Sequence, residues 1–257
     1  ITAVGQTVVT SKGVLMITSI SAPVAGVVTY GYSYTLSAPL THSGQGEINP
    51  LSDTITMTVT DATGDSDATP GSIVISIVDD IPVADNDTNS VTEGLGNATS
   101  GNVYGATGAS AGDDADTIGA DGAAVGGAVT GARTGTEAGG GALTAVAGPT
   151  VISGTYGNLT INPNGTYSYV LKTASIPSNV TSEVFTYEIT DGDGDKDLAQ
   201  LTISLVQDAR IPDVTGSTAT VYEDGLADGV QHGATSETAT GTFTVNANSE
   251  SYVLTLD

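Results

Sequence analysis

The chain has 257 residues, enough for two ordinary domains, and carries 29 Asp and Glu against 5 Lys and Arg, a formal net charge of −24. That balance repels nucleic acid and anionic membranes, so neither is expected as a partner, and metal cations become the first partner to consider. Cysteine is absent, which excludes disulfides, thiolate metal sites and a cysteine nucleophile.

Gly, Thr, Ala, Val, Ser and Asp dominate, a mixture that favours strands and turns over helices. In chain order, period-two alternation marks strands at Tyr32–Leu36, Thr54–Thr60 and Ser72–Val78. It returns at Tyr167–Leu171, Val184–Thr190 and Leu201–Val206, and further strands are expected at Ala219–Glu223, Gly241–Val245 and Tyr252–Leu256. The Gly/Ala-rich stretch Gly105–Gly148 reads as a weak strand at Ala123–Thr130, with Asp113, Asp114, Asp116 and Asp121 in the loop before it. No segment longer than a turn has helical periodicity, and no apolar run is long enough to span a membrane as a helix. Residues 1–10 lack the basic start of a signal peptide, so any export is expected to be directed from sequence outside this stretch. The fold class expected is all-β, with immunoglobulin-like β-sandwiches in tandem.

The elements repeat. The acidic turn Asp61–Asp67 matches Asp191–Asp197, and each lies between two alternating strands. Tyr32–Leu36 matches Tyr167–Leu171, Asp80-Ile-Pro82 matches Arg210-Ile-Pro212, and Val91–Gly94 matches Val221–Asp224. One complete unit covers residues 81–208. Residues 209–257 then hold the opening strands of a unit and residues 1–80 its closing strands, and together they equal one unit in length to within one residue. The chain therefore reads as one period of a longer array. Half-units expose unpaired strand edges, so their expected partners are neighbouring copies of the same repeat, head to tail.

Gly157-Asn-Leu-Thr-Ile-Asn-Pro-Asn-Gly-Thr-Tyr-Ser-Tyr169 followed by Phe185-Thr-Tyr-Glu-Ile-Thr-Asp-Gly-Asp-Gly-Asp195 resembles the VCBS-like and cadherin-like repeats of giant type I-secreted RTX-family bacterial adhesins. The junction Val78-Asp-Asp-Ile-Pro-Val-Ala-Asp-Asn-Asp87 is similar to their inter-domain linkers. The resemblance implies an extracellular, calcium-dependent extender at a bacterial cell surface, supporting adhesion or biofilm, with no catalysis. The glycine-rich nonapeptide repeats that mark the family are not in this sequence.

Two kinds of acidic cluster could hold Ca2+, which takes six to eight oxygens with tolerant geometry. The first is the turn, with Asp191, Asp193, Asp195 and Asp197 interleaved with glycine, and its poorer counterpart Asp61, Asp65 and Asp67. Neither is an EF-hand: in the first, Lys196 stands where the loop needs Gly and Thr202 where it needs Glu. Lys196 is placed to neutralise part of that turn. The second kind is the junction, with Asp79 and Asp80 ending one unit, Asp85 and Asp87 opening the next, and Glu93 following. Asp208, Asp213, Glu223 and Asp224 stand likewise at the second junction. Pro82 and Pro212 stiffen the two linkers, and an ion bound by both neighbours would turn a hinge into a strut. The bland alternatives are a solvated acidic turn and an ordinary acidic linker.

Other signals are weaker. Gly108-Ala-Ser-Ala-Gly112 fits a nucleophile elbow but lacks its strand–turn–helix context, so an enzyme is not expected. His42 and His232 are isolated and read as surface-loop residues, and the alternating tyrosines read as packing rather than a carbohydrate platform. A glycan- or ice-binding adhesin module is the rival to the extender.

Overall fold

The computed structural model describes residues 1–44, 46, 50–105, 107–208, 213–221, 239–247 and 252–256. They are all-β apart from one 3-10 turn at Glu137–Gly139, and they form two compact units, Ile1–Gln207 and Asp208–Asp257. No helix among the described residues is long and apolar enough to cross a membrane.

The first unit opens with β1 (Thr7–Val9), β2 (Gly13–Ile20) and β3 (Tyr30–Leu36) as an antiparallel sheet, then β4 (Leu51–Met57) and β5 (Gly71–Ile77) as a hairpin. Alternation sends Leu15 and Ile17 of β2 and Ile55 of β4 inward, where Tyr34, Ile73 and Ile75 pack against them. This core is small.

Next come β6 (Asp87–Thr92), β7 (Ala98–Asn102), β8 (Val129–Thr134), β9 (Thr144–Ala145) and β10 (Thr150–Ser153). They are followed by β11 (Gly157–Ile161), β12 (Thr166–Leu171), β13 (Ser182–Thr190) and β14 (Lys196–Val206). One sheet has the order β10-β11-β12-β7 and the other β6-β14-β13-β8-β9, with β6 running parallel to β14. Both contribute to one core: Leu159, Ile161, Tyr169 and Leu171 from the first, Phe185, Tyr187, Ile189, Leu201 and Ile203 from the second. Tyr169 and Phe185 meet edge to face with ring centroids 5.9 Å apart, an arrangement worth about 0.5–1.5 kcal/mol beyond the buried area.

Two hairpins with matching sequence share one local arrangement. Gly13 pairs with Leu36 as Gly157 pairs with Leu171. A side chain on either glycine would collide with the tyrosine ring beside it, Tyr34 or Tyr169. Each tyrosine hydroxyl then donates to a carboxylate of the opposite sheet: Tyr34 to Asp53 at 2.5 Å and Tyr169 to Glu183 at 2.6 Å. Glu183 also accepts from the backbone amides of Thr155, Tyr156 and Gly157, clamping the turn between β10 and β11. Asp53 takes a second hydroxyl, that of Thr10, at 2.5 Å.

Two strand expectations shift. The Gly/Ala-rich strand lies at Val129–Thr134, not Ala123–Thr130: Ala123 makes only an isolated bridge to Asp191, and Ala128, Val129 and Ala132 carry the buried side chains. In the second unit the described strands are β15 (Asp213–Thr215) and β16 (Thr244–Asn246), paired with each other. Tyr252–Leu256 is not a strand, and its Tyr252, Val253, Leu254 and Leu256 are exposed. A short ribbon without a sheet face to bury against gives such residues nothing to pair with.

Candidate metal centre

Four segments of the first unit converge on one acidic site. The β13–β14 turn supplies Asp191, Asp193 and Asp195. The chain after β5 supplies Asp79 and Asp80, the loop before β8 supplies Asp121, and the loop between β3 and β4 supplies His42. Within the turn, Asp191 Oδ1 accepts from the amides of Gly194 at 2.9 Å and Asp195 at 2.8 Å, which fixes the loop's shape. The turn is docked on the β3–β4 loop: the amide of His42 donates to Asp193 Oδ2 at 2.8 Å and that of Gly46 to Asp195 Oδ1 at 2.7 Å. Gly192 permits the approach to the loop before β8, because a Cβ there would lie 2.4 Å from the Asp121 carbonyl oxygen. Asp80 Oδ2 accepts from the amide of Ala120 at 2.7 Å, tying the linker to the same loop.

Each of the three turn carboxylates thus spends one oxygen on backbone amides and keeps the other inside. Asp191 Oδ2, Asp193 Oδ1 and Asp195 Oδ2 are buried without a hydrogen-bond partner, and Asp191 and Asp195 are each only 1% exposed. Such an oxygen costs roughly 1–3 kcal/mol, more when charged, unless something cationic meets it. Three sets of side chains can each place one ligand atom per residue within 4.8 Å of one another: His42, Asp79 and Asp193; Asp79, Asp80 and Asp121; and Asp121, Asp191 and Asp193. An open pocket of about 240 Å³, lined by His42, Asp79, Asp80 and Asp121 among others, leads to them.

The electrostatics agree with an under-neutralised site. Burial, then the Asp193 charge, push Asp79 above its ordinary value, against a smaller opposing effect from His42. Burial, then the charges of Asp193, Asp80 and Asp79, raise Asp121, and burial raises Asp191. Lys196 does not relieve the turn: its ammonium pairs with Glu188 at 2.8 Å instead, reaching diagonally across the β13–β14 ladder from its position opposite Thr190.

The remaining acidic residues fall elsewhere. Asp197 turns to the Ala84 amide at 2.8 Å. Asp87 is fully buried, with Oδ1 accepting from the Asp114 amide at 2.9 Å and Oδ2 without a partner. The Asp85 amide donates to Asp116 Oδ1 at 2.7 Å. Burial pushes Asp87 up to about 8 and Asp116 up to about 7, with neighbouring acidic charges adding to both. This second group stitches the linker to the 110–117 loop. Glu93 sits apart, accepting from the Ile176 amide at 3.3 Å. Asp61, Asp65 and Asp67 lie on an exposed turn, where Asp61 Oδ1 caps the amides of Thr63 and Asp65 and Asp67 caps that of Thr69. Asp208 is half-buried just after β14, Asp213 opens β15, and Glu223 and Asp224 lie outside the described residues.

The acidic turn and the linker, expected as separate sites, are therefore brought into one. Two members were missed as ligands. Asp121 sits in a Gly/Ala-rich stretch without alternation. His42, expected on the surface, is 8% exposed. No protein-family model matches the chain, and no curated protein matches it in sequence.

Proposed function

We propose that this chain is a stretch of a tandem-repeat bacterial surface protein, an extender or filament built of immunoglobulin-like sandwiches and stiffened by Ca2+. The observation that supports it best is the convergence of Asp191 and Asp193 on Asp79, Asp80 and Asp121, with unpartnered buried oxygens on Asp191 and Asp193. An ion there joins the turn and loop of one repeat to the linker that ends its neighbour, and hard oxygen ligands with tolerant spacing suit Ca2+ better than Mg2+. The net charge of −24 favours the same cation, since the acidic groups repel until it is bound. Extracellular calcium modules have Kd on the order of 10⁻⁴–10⁻³ M, so the site fills outside a cell and empties inside. Neighbouring copies, stacked head to tail, are the partners, and the role is mechanical rather than catalytic.

Strands of this length make each sandwich roughly 40–50 Å long, so a period advances on the order of 80–100 Å. Small-angle scattering of a chain carrying several periods, in calcium and in chelator, tests the reading. The maximum dimension should grow with calcium, and an unchanged dimension would remove the strut.

A further inference from the structure

His42 is the one nitrogen donor in an otherwise all-oxygen centre, and its surroundings prepare it as a ligand. Its Nε2 faces the carbonyl oxygen of Ile77 at 3.3 Å. A carbonyl only accepts, so Nε2 carries the ring proton and Nδ1 presents its lone pair to the acidic cluster. Metal-binding histidines are held in this way, one nitrogen donating to a backbone carbonyl or carboxylate while the other ligates. Nδ1 lies 2.9 Å from Asp79 Oδ1, an ion pair when the ring is protonated, and the two atoms meet no other polar group. The two side chains are 5% and 3% exposed. A proton on Nδ1 holds that distance as an ion pair, and a metal cation bound by both atoms would take the proton's place. Asp193 completes the corner: its Oδ2 is taken by the His42 amide, and its Oδ1 is buried and unmatched.

We propose that His42, Asp79 and Asp193 form a second cation position, one that takes a borderline first-row divalent ion, Zn2+ foremost, rather than calcium. Calcium prefers oxygen, whereas imidazole suits Zn2+ and its neighbours in the series. Three protein ligands with the pocket side left for water match a common zinc arrangement. Asp193 and Asp79 each belong to two of the ligand sets, so this corner adjoins the oxygen-only one formed by Asp121 and Asp191. With calcium in that neighbouring corner, Asp193 Oδ1 would bridge the two ions, since Oδ2 is taken by the His42 amide.

The chain has two histidines, His42 and His232, which makes the test clean. The full chain, stripped with chelator and then saturated with calcium, is titrated with Zn2+ by calorimetry. Zinc-edge X-ray absorption reads out imidazole in the bound ion's shell. The wild type and His232→Gln should both bind zinc with imidazole ligation, and His42→Gln should bind at least about tenfold more weakly. Because His232→Gln keeps only His42, its spectrum decides the matter even if His42→Gln fails to fold. No imidazole in the His232→Gln spectrum, or equal affinity in a folded His42→Gln, would overturn the proposal. A calcium-independent scattering profile alongside intact zinc binding would count against the strut alone.

Discussion

Replacing Asp191 by Asn separates the two jobs of that side chain. Oδ1 closes the turn through the amides of Gly194 and Asp195, and the Asn carbonyl can do the same. Oδ2 is buried without a partner beside Asp121 and Asp193, and there the substitution puts an NH2 group. With no cation, the change removes an unmatched buried charge and supplies donors to its acidic neighbours, a gain of about 1–3 kcal/mol. For a unit of this size each kcal/mol moves Tm by about 2–4 °C. With calcium the sign of the effect reverses, because N–H cannot ligate. Free calcium at a hundred times Kd stabilises the wild type by about 2.7 kcal/mol; a hundredfold weaker site gains only about 0.4 kcal/mol from the same calcium. Urea unfolding in chelator and in calcium reads both, provided m is unchanged. D191N should be more stable than wild type in chelator, and its calcium increment should shrink by about 2 kcal/mol. A variant less stable in chelator, with its calcium increment intact, would refute the reasoning and make Asp191 a turn-former only.

Three further outcomes follow from the same geometry. Asp87 and Asp116, raised to about 8 and about 7, hold protons in the folded chain that the unfolded chain releases near pH 4. Calcium-free stability should therefore fall as pH rises from about 5 to 8, by up to about 1.4 kcal/mol per pH unit for each such group; a urea midpoint that climbs over this range would contradict it. Tyr169→Phe takes the 2.6 Å donor from buried Glu183 and should cost about 1.5–3 kcal/mol in chemical denaturation, more than Tyr34→Phe, whose bond to Asp53 is only partly buried. Gly192→Ala would push a methyl against the Asp121 carbonyl and should weaken calcium binding in calorimetry; unaltered affinity would mean the turn and the loop need not meet.

The β elements were legible because alternation is strong where one face is buried: Phe185, Tyr187 and Ile189 point inward along β13 as their spacing requires. The Tyr34–Asp53 and Tyr169–Glu183 clamps lie on such strands, at positions where the sequence matches itself. The strand at Val129–Thr134 was misplaced because Gly and Ala carry almost no periodic signal, so only the tertiary partner, β13, sets its register. The acidic residues of the centre stood out in the sequence, but their union did not. It depends on the docking of the β13–β14 turn onto the loop that carries His42, which places residues 42 and 193 together across most of the chain. A lone histidine has no pattern to betray it. Asp121 could have been noticed only as the last acidic residue of a run, Asp113, Asp114 and Asp116, of which Asp114 and Asp116 meet the linker and Asp113 holds the Asn102 and Ser110 amides.

The central claim is that a divalent cation sits where the turn, the linker and the loop before β8 meet. Crystals grown in calcium, measured at a wavelength where calcium scatters anomalously, test it most directly. A peak bonded at about 2.3–2.6 Å to Asp191 Oδ2, Asp193 Oδ1 and an Asp121 oxygen is the expected result. Ordered water at that point, with the carboxylates moved apart, would contradict it.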